Sequence, residues 1–332
     1  MDMFLTLSVL QVLSTSPVPV SELKSVATDT DFLVMADMPY TAQDRASLGE
    51  NGVLTYKIQQ TPHSLLMHLG DIKAGSEPCT NELLTSNKKL LRSLTGKPFI
   101  YTPGDNEWTD CDRKTLVPRF DELERLAYVK HLMYTPEYQN QAGKLDNYKT
   151  QPTMVENARW QLADVEFMTL HIAGTHNGRR QVLMSDKKQA NQAAQRRDSL
   201  NLEWLSEADR TAKAYVIGFQ ADIYTHGTEQ PACAKTNVDQ CDGFSVYREA
   251  LDEFAKTVAK PVLVIHGDTG PFCQQKLSEF LTRLNAPGDY MFNDIAHIKI
   301  VSNPRTDLIK WQIRSLKNNK PLKNTCNEVT KF

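Results

Sequence analysis

The sequence predicts an α/β fold with largely parallel strands. Three observations carry this: short apolar runs that end abruptly in Gly, Asp or another polar residue, amphipathic helical stretches between them, and a globular composition. Hydrophobic residues make up 40% and charged residues 23% of the 332, which excludes the disordered and fibrous classes. That length accommodates two domains or one large α/β domain. Lys plus Arg number 38 against 40 Asp plus Glu, a formal charge of −2. This balance argues against a protein held on nucleic acid by phosphate charge. No apolar run reaches the ~18 residues of a membrane span.

The apolar runs are 32–37 (FLVMAD), 64–71, 97–105, 166–174, 214–222 and 260–268. Each is short, rich in β-branched or aromatic residues and bounded by turn formers, the pattern of a buried strand. A helix is predicted over 81–94, apolar at 83, 84, 90, 91 and 94, with Gly96 closing it before Pro98. A second runs over 246–258 with Leu251, Phe254 and Val258 on one side, and a third over 202–214 with Trp204 and Leu205 inward. Helix alternating with strand gives the α/β class. Segment 112–160 has weaker periodicity, and its Tyr134, Pro136, Tyr138, Asn140, Gly143, Asn147 and Tyr148 suggest a loop-rich insertion over one sheet edge. Segment 175–198 is polar and basic, predicting an exposed loop and helix.

Residues 3–13 form an apolar stretch of signal-peptide length, with Asp2 the only charge before Glu22. Residues 1–25 therefore read as a signal-peptide remnant, a short first strand or helix, or a disordered terminus. Six cysteines, an even number with no C-x-x-C spacing, suggest disulfides in a periplasmic or secreted protein; the other reading is buried free thiols in a cytosolic enzyme. Cys233 and Cys241 bracket seven mostly polar residues and suit a small stapled loop. Cys79 and Cys111 each follow an acidic loop, and Cys273–Cys326 remains by elimination.

The strand ends carry Asp37, Asp71, Asp105, Gln220, Asp222, His266 and Asp268. Parallel sheets bind ligands at that edge. Several carboxylates there are costly unless a cation compensates them, so four acidic loops together point to a metal site, although any one Asp also suits a helix cap. No G-x-x-x-x-G-K-[ST] or G-x-S-x-G occurs, which removes a Walker-type nucleotide site and argues against a serine hydrolase.

Taken in order, Asp37-Met38-Pro39, Gly70-Asp71, Gly104-Asp105-Asn106-Glu107, Gln220 in GFQAD, and Gly267-Asp268-Thr269-Gly270 resemble the motifs of the calcineurin-like metallophosphoesterases. Those motifs are D-x-H, GD, GNH-[DE], a lone His and GH-x-H, each at a strand end. The resemblance runs from about residue 31 to 303; GDIK followed by TPGDNEWTDC, and HGDT after a Pro-led strand, are its most specific parts. It implies an α/β/β/α sandwich of two mixed sheets flanked by helices, one domain over 26–332 with the 112–160 insertion. It also implies a metal-dependent hydrolase of phosphomonoesters or phosphodiesters acting on a small phosphorylated substrate.

By that resemblance Asp71 bridges two cations, Asp37 holds the first, and Asp105 and Asp268 hold the second, with Asn106 and Gln220 as further ligands. The departures are Pro39, Asn106, Gln220, Asp268 and Gly270 at histidine positions and Asp105 at an asparagine position. An oxygen-rich set suits Mg²⁺, Mn²⁺ or Ca²⁺, and the first position keeps only Asp37 and Asp71, so the number of ions, one, two or none, is open. Asn106 donates to a phosphate oxygen but cannot protonate a leaving group. His266 is the candidate acid, or a histidine tucked under the last strand. His68 reads as a core residue, His176 as structural and Trp108 as packing. The rival function is a pseudo-phosphoesterase that binds a ligand or partner without hydrolysis.

Overall fold

The computed structural model describes residues 30–225, 228–234, 237–238, 240–268, 270–302, 306 and 308–327. The apolar stretch 3–13 and Thr269 of the last motif lie outside them. The first half of the chain forms β1 (Thr30–Met35), α1 (Ala42–Leu48), α2 (Val53–Gln60), β2 (Leu66–Leu69), α3 (Asn81–Ser93), β3 (Phe99–Thr102), a 3-10 turn (Thr109–Asp112), α4 (Glu122–Met133), α5 (Pro136–Ala142), β4 (Asp146–Gln151) and β5 (Met154–Leu162). There follow β6 (Val165–Thr169), the single turn α6 (Gly174–Gly178), α7 (Lys187–Ser206), β7 (Ala214–Gly218), α8 (Ser245–Val258), β8 (Val262–His266), β9 (Cys273–Lys276), β10 (Leu281–Asn285), β11 (Ala296–Ser302) and β12 (Ile309–Ser315).

The strands make two mixed sheets, one ordered β12-β11-β1-β2-β3 and the other β4-β5-β6-β7-β8-β10-β9. Every strand read from the sequence is parallel to a neighbour: β1–β2–β3 in the first sheet and β6–β7–β8 in the second. Successive residues point to opposite faces of a strand, and the second sheet uses both. Phe167, Val216 and Leu263 face the first sheet and join Val34, Leu66 and Ile100 in one core, with Phe32 edge-on to Phe167 at 4.9 Å. Met168, Ile217 and Val264 face outward and meet Trp204 of α7 and Tyr247 and Leu251 of α8 in a second core. Each fully buried apolar side chain contributes about 1.5–3 kcal/mol, so both faces anchor the second sheet and fix where its strand ends emerge.

The structure differs from the sequence reading in two places. Segment 112–160 is mostly regular: it holds α4, α5, β4 and all but the end of β5, and the two strands extend the second sheet. The helix expected over 202–214 is instead Lys187–Ser206. It starts at Asp186, whose side chain accepts from Gln189 N, and ends well before β7. The three expected cysteine pairs, Cys79–Cys111, Cys233–Cys241 and Cys273–Cys326, are the three disulfides present.

Candidate metal centre

Beyond the ends of β1, β2 and β8, the backbone turns sharply enough to put Asp37, Asp71 and Asp268 at positive φ (54°, 59° and 81°). Non-glycine residues seldom hold this conformation, and it concentrates at functional sites. Close approach completes the geometry. A Cβ on Gly104 would come within 2.5 Å of Asp71 N, and one on Gly174 within 2.6 Å of Asp105 Cγ. Only glycine lets those loops close on the carboxylates.

Asp71, Asp105 and Asp268 thereby offer carboxylate oxygens all within 4.8 Å of one another. Asp71 is the hub. Its Oδ1 accepts from Asn106 N at 3.0 Å. Its Oδ2 accepts from Tyr40 Oη at 3.0 Å, Asn106 Nδ2 at 3.1 Å and Gln220 Nε2 at 3.1 Å. The Gln220 amide also donates to Asp105 Oδ1 at 3.2 Å, while its oxygen accepts from Gly174 N at 2.6 Å. Asp37 borders the cluster: Oδ2 accepts from Asp268 N at 3.2 Å and Oδ1 from Tyr40 Oη at 3.3 Å.

Burial and like charge act together on these acids. Burial, then Asp105 and Asp37, hold the Asp71 carboxyl well above the usual range; burial, then Asp268, do the same to Asp37. Asp105 is pushed up to about 7 by burial and by Asp268, and Asp268 to about 7 by burial and Asp222. Such a group of carboxylates calls for a compensating cation. The three converging carboxylates fit a hard divalent ion, which takes oxygen ligands at ~2.0–2.6 Å.

The other residues singled out from the sequence lie in distinct surroundings. Asn106 has both amide protons engaged, on Asp71 and on Tyr40 Oη at 2.6 Å. Gln220 turns its N–H groups, not its oxygen, toward the acids. His266 is fully buried, its ring beside Phe219 and Tyr224. Asp222 reaches Asp268 through its backbone N–H at 3.2 Å. His68 is a core residue bonded to Met38 O at 2.8 Å. Trp108 packs edge-on to His171 and under the Arg197 guanidinium.

Three contributors were missed. Tyr40 is one. Glu107, fully buried, accepts from Gly104 N at 2.7 Å, Asp71 N at 3.1 Å and Tyr101 Oη at 2.6 Å. Arg113 pairs with Asp110 at 36% side-chain exposure. Its Nη1 and Asn106 Oδ1 flank one point, because a Cβ on Gly75 would collide with the first and come within 2.7 Å of the second. Tyr40 and Arg113 stand at the ends of the DMPY and GDNEWTDCDR stretches, and only their position in the motifs could have marked them.

A scan against protein-family models matches none, and a search of curated proteins finds no match. Solved structures do match. A dimetal phosphatase from Danio rerio aligns at TM-score 0.50 and 11% identity, over 86% of this chain and 95% of that one. The Plasmodium protein GAP50, described as the anchor in the inner membrane complex, aligns at 0.49 and 11%, over 91% and 90%. A 5'-nucleotidase from Candida albicans aligns at 0.46 and 8%, over 86% of this chain and 52% of that one. The two mixed sheets, the acids gathered at their carboxyl edge and the likeness to the dimetal phosphatase show that this chain has the fold of the calcineurin-like metallophosphoesterases.

Proposed function

We propose that this chain hydrolyses a phosphomonoester or phosphodiester with Mg²⁺, Mn²⁺ or Ca²⁺ held by Asp71, Asp105 and Asp268. The observation that carries the reading is the convergence of those three carboxylates, from three separate strand-end loops, within 4.8 Å. When bound, such a cation supplies Lewis-acid polarisation of a phosphoryl oxygen. The chain's own residues do the rest. Glu107 holds the Gly104 and Asp71 backbones in register, and Gln220 spans Asp71 and Asp105. Arg113, partly exposed beside Asn106, offers a planar donor set to phosphoryl oxygens. Asn106 has no proton to give a leaving group, and His266 is enclosed. Substrates whose leaving group departs without protonation, such as aryl phosphates, are therefore favoured over alkyl phosphates. Three disulfides support a periplasmic or secreted setting.

The test is an aryl-phosphate assay, monoester and diester, on protein stripped with EDTA and reloaded with each cation. Hydrolysis should return with metal, and Asp105→Asn should lower metal affinity at least ~10-fold and abolish most turnover. A second reading, a binding protein that has lost hydrolysis, is favoured by Asn106 at the family's catalytic histidine position. Phosphate binding without turnover under any of the three cations would select it.

A further inference from the structure

We propose that the centre holds one cation, because the Tyr40 hydroxyl takes the place of the other. The inference rests on the metal-dependent reading above and concerns the pair Asp37 and Asp71. Tyr40 Oη lies 3.3 Å from Asp37 Oδ1 and 3.0 Å from Asp71 Oδ2. It touches both acids that the resemblance assigns to the first ion. A divalent cation shared by two carboxylates needs oxygens at ~2.0–2.6 Å, so phenol and ion compete for the same space.

The phenol is held there. Asn106 Nδ2 donates to Oη at 2.6 Å. The Tyr40 ring is 8% exposed and packs against Tyr290 with centroids 5.3 Å apart. The Tyr40 backbone N–H is anchored on Asp44 Oδ2 at 2.9 Å, at the start of α1. Both oxygens of Asp37 are also engaged, Oδ1 by Tyr40 and Oδ2 by the Asp268 backbone N–H at 3.2 Å. Asp37 therefore ties the β1 end to the β8 end and braces the centre without ligating it. Pro39, next along the chain, offers no donor where the family's D-x-H motif has its nitrogen ligand. Asp71, Asp105 and Asp268 bring three carboxylates together, one more than the first position keeps, and the neutral donor across two of them is the Gln220 amide. Beside a first position that Pro39 leaves short of a ligand, Tyr40 places a neutral hydroxyl whose single proton one of the two acids accepts, with no added charge.

The experiment is metal stoichiometry of the full chain, stripped with EDTA and titrated with Mn²⁺, by elemental analysis and electron paramagnetic resonance. One ion per chain with an uncoupled Mn(II) spectrum is expected. Two ions with exchange coupling would overturn the inference and leave the phosphoesterase reading standing. No bound ion at saturating Mn²⁺ would overturn both. Tyr40→Phe keeps the ring and its packing but removes the hydroxyl, and should admit a second, weaker ion at high Mn²⁺. If Tyr40→Phe folds and stays at one ion, the hydroxyl is not what excludes the second, and the inference fails.

Discussion

Glu107 shows how one side chain organises the carboxyl edge. Three donors, two from loops and one from β3, end on its Oε1: Gly104 N, Asp71 N and Tyr101 Oη. Burial raises its pKa, while those bonds and Lys73 lower it against that trend. Glu107→Ala would strand three buried donors, each worth ~1–3 kcal/mol when left unsatisfied. A loss of at least ~3 kcal/mol is expected in urea denaturation, with a fall in Mn²⁺ affinity of ~10–100-fold, the usual effect of removing a group that orients ligands. Unchanged affinity in a folded variant would show that Glu107 supports the fold and not the centre. The sequence marked Glu107 only as a letter of GDNEW. Its three partners come from β3 and from two loops that meet only once β2 and β3 pair, and no spacing encodes that. For the same reason Asp71 and Asp105 could be read as acids at strand ends, but the phenol between Asp37 and Asp71 could not.

At the scale of elements, the turn α6 carries the most backbone strain near the site. Thr175, His176, Asn177 and Gly178 all have positive φ (55°, 55°, 58° and 77°). A left-handed conformation costs a non-glycine residue roughly 1–2 kcal/mol, so something must hold three in a row. Asn177 does so: its Oδ1 accepts from Ala173 N at 3.3 Å and Arg197 Nε at 3.1 Å. Its Nδ2 donates to Asp198 Oδ1 at 2.8 Å and Tyr247 Oη at 2.9 Å. Asn177→Ala should cost about 2–4 kcal/mol, since it breaks a buried network and leaves partners unsatisfied. Because Gly174 at the head of the turn lies against Asp105, Mn²⁺ affinity should fall as well; thermal melts with and without Mn²⁺ separate the two effects.

Elements with a one-sided apolar pattern were legible, and those without it were not. α3 and α8 have apolar stripes and were placed within a residue or two of their observed bounds. The first half of α7 reads KKQANQAAQRR and shows only Ala190, Ala194 and Arg197 to the interior, too little contrast for a period to register. β4 (DNYKTQ) buries only Gln151, so its place is set by pairing with β5 and not by its own composition.

For the whole molecule, the disulfides and buried histidines set the response to redox and pH. Cys79–Cys111 and Cys273–Cys326 span 32 and 53 residues. The first fastens the loop after β2 to the turn that follows Asp105 and Asn106. His68 and His171 are fully buried, one in each sheet's layer. Burial pushes both down to about 4, against partial opposition from the Met38 carbonyl bond for His68 and from Glu156 for His171. The sign follows from linkage. Each ring stays neutral in the folded chain below its ordinary value of 6.5, while the unfolded chain takes up the proton. Their contribution is therefore fully present above pH 6.5 and is lost as pH falls from 6.5 to 4. At most it amounts to about 3 kcal/mol per ring. His171→Gln cannot titrate, so the stability of the parent relative to this variant should shrink steadily across that window in urea denaturation at fixed ionic strength. A difference that stays level from pH 7 to 4.5 would mean that His171 carries its proton in the folded state, paired with Glu156 at 3.3 Å.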